Sequence, residues 1–303
     1  MNALARFIMK GRSEAILVIA ALTILSWGLS PASLLAAAAI ALPTLRRGGK
    51  EGARLILGAL PIVALAGYIL LSDAVQAGGY SLVMWIPILL VAIILRETAS
   101  LSIAVLSALA LGWLVVAGMY AMLSDPAAFW LDTLQQVLKP MLEQRGTGVD
   151  EGLINQTIQL FSRYATGAIA AGSIMTVLIS LLLARWWQAN LYNPGGFRDE
   201  FQQFRLPAPA GYVFLVLLIA GMASSGGVQE FSVNLLMPAL MVYMLAGFSV
   251  IHALCSSTRA GRFWLAGIYV GLMFIAPLIL VITLVGLSDS WFNWRQRFAS
   301  AGG

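Results

Sequence analysis

With a single cysteine and a single histidine, this 303-residue chain has few of the side chains that redox and metal chemistry require. Cys255 has no second thiol with which to close an internal disulfide, and His252 by itself supplies no histidine-rich metal site. Charge is scarce too: Asp, Glu, Lys and Arg make up 10% of the chain, against about 25% in soluble domains. Too little polar surface is available to cover a soluble fold. No run rich in Ser, Pro or charge divides the sequence, so one membrane domain spanning 1–303 is expected. Acid–base catalysis needs clustered titratable groups, and no apolar run carries a carboxylate or amine near its middle. The expectation is a protein that is not an enzyme and that needs neither metal nor cofactor.

The net charge of +5 raises nucleic acid as a partner. The basic residues, however, fall singly or in short clusters between apolar runs, where membrane topology accounts for them. A lipid bilayer is therefore the expected environment, and no nucleic-acid partner is expected.

What the chain has in quantity is apolar: 60% of its residues. A spanning helix needs about 20 apolar residues, and runs of that kind occur at 53–71, 101–123, 164–183, 233–254 and 263–287, with shorter ones at 82–95 and 212–223. Arg6, Lys10 and Arg12 before an apolar run from Ala15 have the form of a signal peptide. Because the apolar pattern continues along the chain, an uncleaved first helix is expected instead. Residues 15–45 are too long for one span, and Gly28-Leu-Ser-Pro31 marks a turn, so they are read as a helical hairpin. The fold class expected is all-α: a polytopic transmembrane helical bundle of eight or nine spans with a cytoplasmic N-terminus. Under the positive-inside rule, 13 of the 18 basic residues then fall inside. Arg295 and Arg297 in the C-terminal tail break the pattern by falling outside, so either the tail is an outer anchor or the span count is off by one.

Segment 124–162 carries Trp130, Leu134, Val137, Leu138, Met141 and Leu142 at helical spacing. It reads as an amphipathic helix at the outer interface, ended at Gly146-Thr-Gly148 and followed by a second stretch capped by Asp150. Such a segment serves as a connector or as a lid.

Two sets of residues are candidates for function. Thr166, Ser173, Thr176 and Ser180 lie along one face of the 164–183 helix beside small residues, which suits either a packing seam or the wall of a cavity. The second set forms a cytoplasmic elbow at 185–206, comprising Arg185, Trp186, Trp187, Tyr192, Asn193, Pro194, Gly195, Gly196, Phe197 and Phe201. Trp186, Trp187 and Tyr192 suit the headgroup layer, and Asn193-Pro-Gly-Gly196 is a turn signal. The elbow reads as an interface anchor or as a docking face for a membrane or cytoplasmic protein. Pro61, Pro87, Pro238 and Pro277 interrupt predicted spans and point to where pockets open. Gly267-Ile-Tyr-Val-Gly271 has GxxxG spacing, a common packing pattern.

The elbow, Arg185-Trp-Trp-Gln through Asn193-Pro-Gly-Gly-Phe197 to Phe201, resembles the YybS-like family of predicted bacterial membrane proteins, a domain of unknown function. That resemblance implies a multi-pass protein of the bacterial cytoplasmic membrane. At greater distance the chain is similar to substrate-binding components of energy-coupling-factor transporters and to MreD-like proteins. The four proline-interrupted spans, the hydroxyl face of the 164–183 helix and the amphipathic outer segment point to transport-related binding of a small, weakly charged molecule within the bundle, with a membrane scaffold docking partners through the elbow as the alternative. The transporter components dock their coupling subunit through Ala-x-x-x-Ala on the first helix. Here that spacing occurs instead at Ala32/Ala36 and Ala37/Ala41 of the second.

Overall fold

In a computed structural model, residues 2–144, 151–256, 258 and 260–301 are described. The expected break at Gly146-Thr-Gly148 and the cap at Asp150 lie outside them. The described residues form fourteen helices: α1 Asn2–Lys10, α2 Arg12–Ser26, α3 Ala32–Arg47, α4 Gly49–Leu71, α5 Ala74–Thr98, α6 Leu101–Met122, α7 Pro126–Gln144, α8 Glu151–Tyr192, α9 Gly196–Gln203, α10 Ala208–Ala223, α11 Gly226–Ser256, α12 Gly261–Phe274, α13 Leu278–Phe292 and α14 Trp294–Ala301. Short polar joints separate them. Asp73 caps α5 by accepting from the Gln76 amide at 2.8 Å, and Ser100 caps α6 by accepting from the Ile103 amide.

By length and composition, α4, α5, α6, α8 and α11 are five helices able to cross a membrane, and α9 with α10, bent by 54°, supply a sixth if they form one span. This is a helical membrane protein. The remaining apolar helices are shorter, α2 with 15 residues, α3 with 16, α12 with 14 and α13 with 15.

Two central helices organise the packing. Every residue from Ala36 to Leu45 of α3 is buried, and α3 packs against α2, α4, α5 and α8. In the other half α11 is surrounded by α6, α8, α10 and α13. The 42-residue α8 touches both centres. At 1.5 Å per residue it is about 63 Å long, roughly twice the thickness of a bilayer's hydrocarbon layer. Its N-terminal half packs against α7, where Trp130 Nε1 donates to Thr166 Oγ1 at 2.7 Å.

Two glycines bring α11 and α13 into close contact. A Cβ on Gly247 of α11 would strike the Ile282 carbonyl, and one on Gly286 of α13 would strike the Tyr243 carbonyl and the Gly247 amide. Backbone thus lies on backbone, as small residues allow. The GxxxG pair on α12 makes no such contact: Gly267 faces open space, and Gly271 meets only the Leu278 side chain.

Two expectations change. The run 263–287 is not one helix, because the chain turns at Ile275–Pro277 before α13 begins. Pro277 has no amide hydrogen with which to continue α12. The expected break near 162–164 and the start of the elbow at Arg185 both fall inside the continuous α8.

The turn at 275–277 brings the C-terminal tail back to the elbow. Arg205, between α9 and α10, donates from Nε to the Asp289 carbonyl and from a terminal nitrogen to the Ser290 carbonyl, both at 2.9 Å. Arg295 lies 3.3 Å from the buried Asp289 carboxylate and donates to the Phe204 carbonyl at 2.7 Å. The expectation that Arg295 falls at the opposite end from Arg205 is therefore corrected, because that expectation counted 263–287 as a single crossing.

Candidate functional site

The basic end of the bundle gathers the last turns of α3, α5 and α8 and the first turns of α4 and α6. Glu51, in the first turn of α4, is buried and takes two hydrogen bonds from Arg12, at 2.8 and 2.9 Å. Arg47 and Arg54 stand 3.8 and 3.5 Å from the same carboxylate. Arg96 donates to the Leu45 carbonyl at 2.8 Å. These contacts fasten the N-terminal helices together by charge-assisted bonds.

The elbow completes this end. Tyr192 closes α8; Asn193, Pro194 and Gly195 turn the chain; and α9 folds back. Gly195 sits at φ 93°, a left-handed conformation that glycine enters without a steric penalty. The short α9 is a wall between two polar chambers. On one side Arg96, Glu97, Arg185, Gln188, Asp199 and Glu200 are among the residues lining a cavity of about 650 Å³. On the other side Arg198, Gln202, His252, Ser256, Thr258 and Arg262 are among those lining one of about 370 Å³. Consecutive residues of one helix point to different faces, so Arg198 faces one chamber and Asp199 the other.

In the larger chamber Arg185 donates to Glu200 at 2.7 Å and to Gln188 at 2.9 Å. Glu200 lies in the polar α9 and not in any of the five helices long and apolar enough to cross a membrane by themselves, and burial pushes its carboxyl above the usual carboxylate range against the opposing pull of Arg185. Two guanidinium groups face three carboxylates here. Asp199, on the exposed side of α9, forms no ion pair among the described residues.

The elbow aromatics are mostly turned inward. Trp187 is fully buried in the core, and the half-buried Trp186 packs against it. Phe197 stacks on Phe201, whose ring meets His252 edge-on at 5.7 Å. His252 Nε2 is 2.9 Å from the Tyr269 hydroxyl. Gly196 is half-buried, while Tyr192, Asn193, Pro194 and Gly195 are exposed, and Arg46 lies 4.4 Å over the Tyr192 ring. The helix-face set divides as well. Thr166 and Ser180 are buried, Ser173 is exposed, and Thr176 is half-buried and bonds back to the Gly172 carbonyl at 2.9 Å. An apolar cavity of about 420 Å³ adjoins α9 through Leu182, Trp186, Phe197 and Phe201, and another of about 570 Å³ lies between α11, α13 and α14. Pro61, Pro87, Pro238 and Pro277 line none of these four cavities.

Sequence reasoning missed two features. The three arginines on Glu51 were partly legible, because Arg47 and Arg54 stand four residues before and three after it, on one helical face. The second is Asn234, fully buried in α11, which accepts from the Gly167 amide through Oδ1 and donates to the Arg163 carbonyl at 2.8 Å and to the Tyr120 hydroxyl at 3.1 Å. Gly167 and Arg163 are i and i−4 in α8, so the carboxamide sits across one rung of that helix. An amide side chain in an otherwise apolar run was the available signal.

A multi-pass helical protein whose polar groups collect at helix ends is the class these features define. The chain belongs to the family described as predicted membrane protein (DUF2232), whose profile matches residues 15–290. No curated protein matches it. No solved structure matches it either. The alanine spacing that the transporter resemblance singles out is internal: Ala32, Ala36, Ala37 and Ala41 are all buried within the bundle.

Proposed function

We propose that this protein binds a small polar molecule in the chamber between α9 and the ends of α3, α5 and α8, as a transport-related component of the bacterial cytoplasmic membrane. The observation that carries the reading is the cavity of about 650 Å³ with hydrogen-bonding side chains on several walls, a volume suited to a metabolite. Three carboxylates against two arginines favour a neutral or weakly cationic ligand over an anion. The inward-turned aromatics of the elbow speak against the alternative, a scaffold that docks partners through Trp187 and Phe201.

The topology we propose has the N-terminus, the elbow and the C-terminal tail all in the cytoplasm. Counting α12 and α13 as a short hairpin gives an even number of traverses. Arg295 and Arg297 then join the other inside cations, which removes the exception to the positive-inside rule.

Melting of the detergent-purified protein against a panel of neutral and cationic metabolites tests the binding reading. Some of them should stabilise the wild type, by about 2.7 kcal/mol at a hundredfold excess over Kd, and Asp199→Asn with Gln203→Leu should remove the effect. A folded protein stabilised by no compound in the panel would overturn the proposal.

A further inference from the structure

The smaller chamber has a different chemistry from the larger one. Arg198 and Arg262 line it with Gln202, His252, Ser256 and Thr258, and no carboxylate is among its lining residues. Among the described residues neither guanidinium has an ion-pair partner, although five arginines elsewhere crowd onto just two acids, Glu51 and Asp289. Two unpaired arginines facing hydroxyl and amide donors form a receptor for a tetrahedral oxyanion. The first turn of α12 adds the positive end of a 14-residue helix.

The surroundings identify what carries that anion. The polar chamber shares Arg198, Gln202 and His252 with the adjoining apolar cavity, which is lined by Leu182, Trp186, Phe197 and Phe201. On the other flank α12 presents Phe263 at 82% exposure and Trp264 at 65%. A charged pocket that opens onto an apolar groove beside an aromatic-rich helix matches a phosphate joined to acyl chains. Free phosphate would leave the groove unused.

We propose that this chamber binds the phosphate of an anionic phospholipid headgroup, with an acyl chain lying in the apolar cavity beside α9. This chamber shares no lining residue with the ligand chamber on the other side of α9. Either can fail its test while the other stands.

Native mass spectrometry of the detergent-purified protein, titrated with phosphatidylglycerol or phosphatidylcholine, reads the site directly. The wild type should retain phosphatidylglycerol in preference to phosphatidylcholine. Arg198→Gln with Arg262→Gln should weaken that binding about tenfold or more, since both charge-assisted contacts to the phosphate are lost. Arg6→Gln with Lys10→Gln removes the same charge from exposed positions near the N-terminus and should leave binding unchanged. Arg262→Gln alone, at an exposed and unpaired residue, provides the comparison if the double variant fails to fold. Equal loss in both charge-matched doubles means diffuse surface attraction, and equal retention means no site; either result overturns the proposal. Millimolar inorganic phosphate that displaces the lipid completely, or stabilises the protein as much by itself, assigns the chamber to a soluble anion and also overturns it.

Discussion

Arg205 and Asp289, 84 residues apart in sequence, meet through a 2.9 Å hydrogen bond from the Arg205 guanidinium to the Asp289 carbonyl and a carboxylate 3.9 Å from the guanidinium. This contact fixes the C-terminal tail at the end of the bundle that holds the elbow. Topology therefore turns on whether 263–287 crosses once or folds back.

A C-terminal reporter decides that point. Green fluorescent protein fused after Gly303 should fluoresce in cells, and alkaline phosphatase at the same position should be inactive. The opposite pair of results would restore a single crossing and place the tail outside.

The glycine contact between α11 and α13 predicts an asymmetry. Gly247→Ala drives a methyl group into the Ile282 carbonyl, and overpacking of this kind costs about 1–3 kcal/mol. Gly267→Ala, with open space around it, should leave melting unchanged or raise it slightly, since alanine favours the helix. Thermal unfolding in detergent measures both, and equal effects would show that the two helices do not touch at Gly247.

Asn234 and Gly167 should behave as a packed pair. Replacing Asn234 by Ala removes hydrogen bonds worth about 1 kcal/mol in a membrane protein. Gly167→Ala places a Cβ 2.7 Å from both the Asn234 Cα and its carbonyl oxygen. Because that clash is with backbone, Asn234→Ala should not rescue Gly167→Ala. Full rescue in the double variant would show that only the side chains collide.

Glu200 gives stability a pH dependence of definite sign. Its folded-state pKa is raised, so the folded chain binds the proton more tightly than the unfolded chain does. The associated stability is fully present below the unfolded pKa of glutamate and is lost as pH rises through the folded value. Glu200→Gln should flatten the melting profile over that interval. An unchanged slope would mean that Glu200 is as well solvated as a free carboxylate.

The greasy composition made the helical membrane class readable, and Asn193-Pro-Gly-Gly196 marked the turn before α9, where Gly195 takes the left-handed conformation that glycine allows. Other features could not be read locally. Ser162-Arg-Tyr164 looks like a boundary because hydropathy changes there, yet no residue in it stops a helix, and α8 runs through. Pro277 interrupts an apolar run, and sequence alone does not distinguish a kink from a reversal, since a missing amide hydrogen is common to both. Trp187 follows the interfacial preference of tryptophan until three-dimensional neighbours bury it. Both chambers are assembled from helix ends far apart in the chain, so only tertiary packing reveals them.

An eight-residue partition that serves two compartments at once gives their occupants a route by which to sense each other. If filling one compartment pushes the divider aside, the volume it gains is taken from its neighbour. By thermodynamic reciprocity, whatever one guest does to the other's affinity is returned in equal measure. Membrane composition would then tune solute capture without touching it.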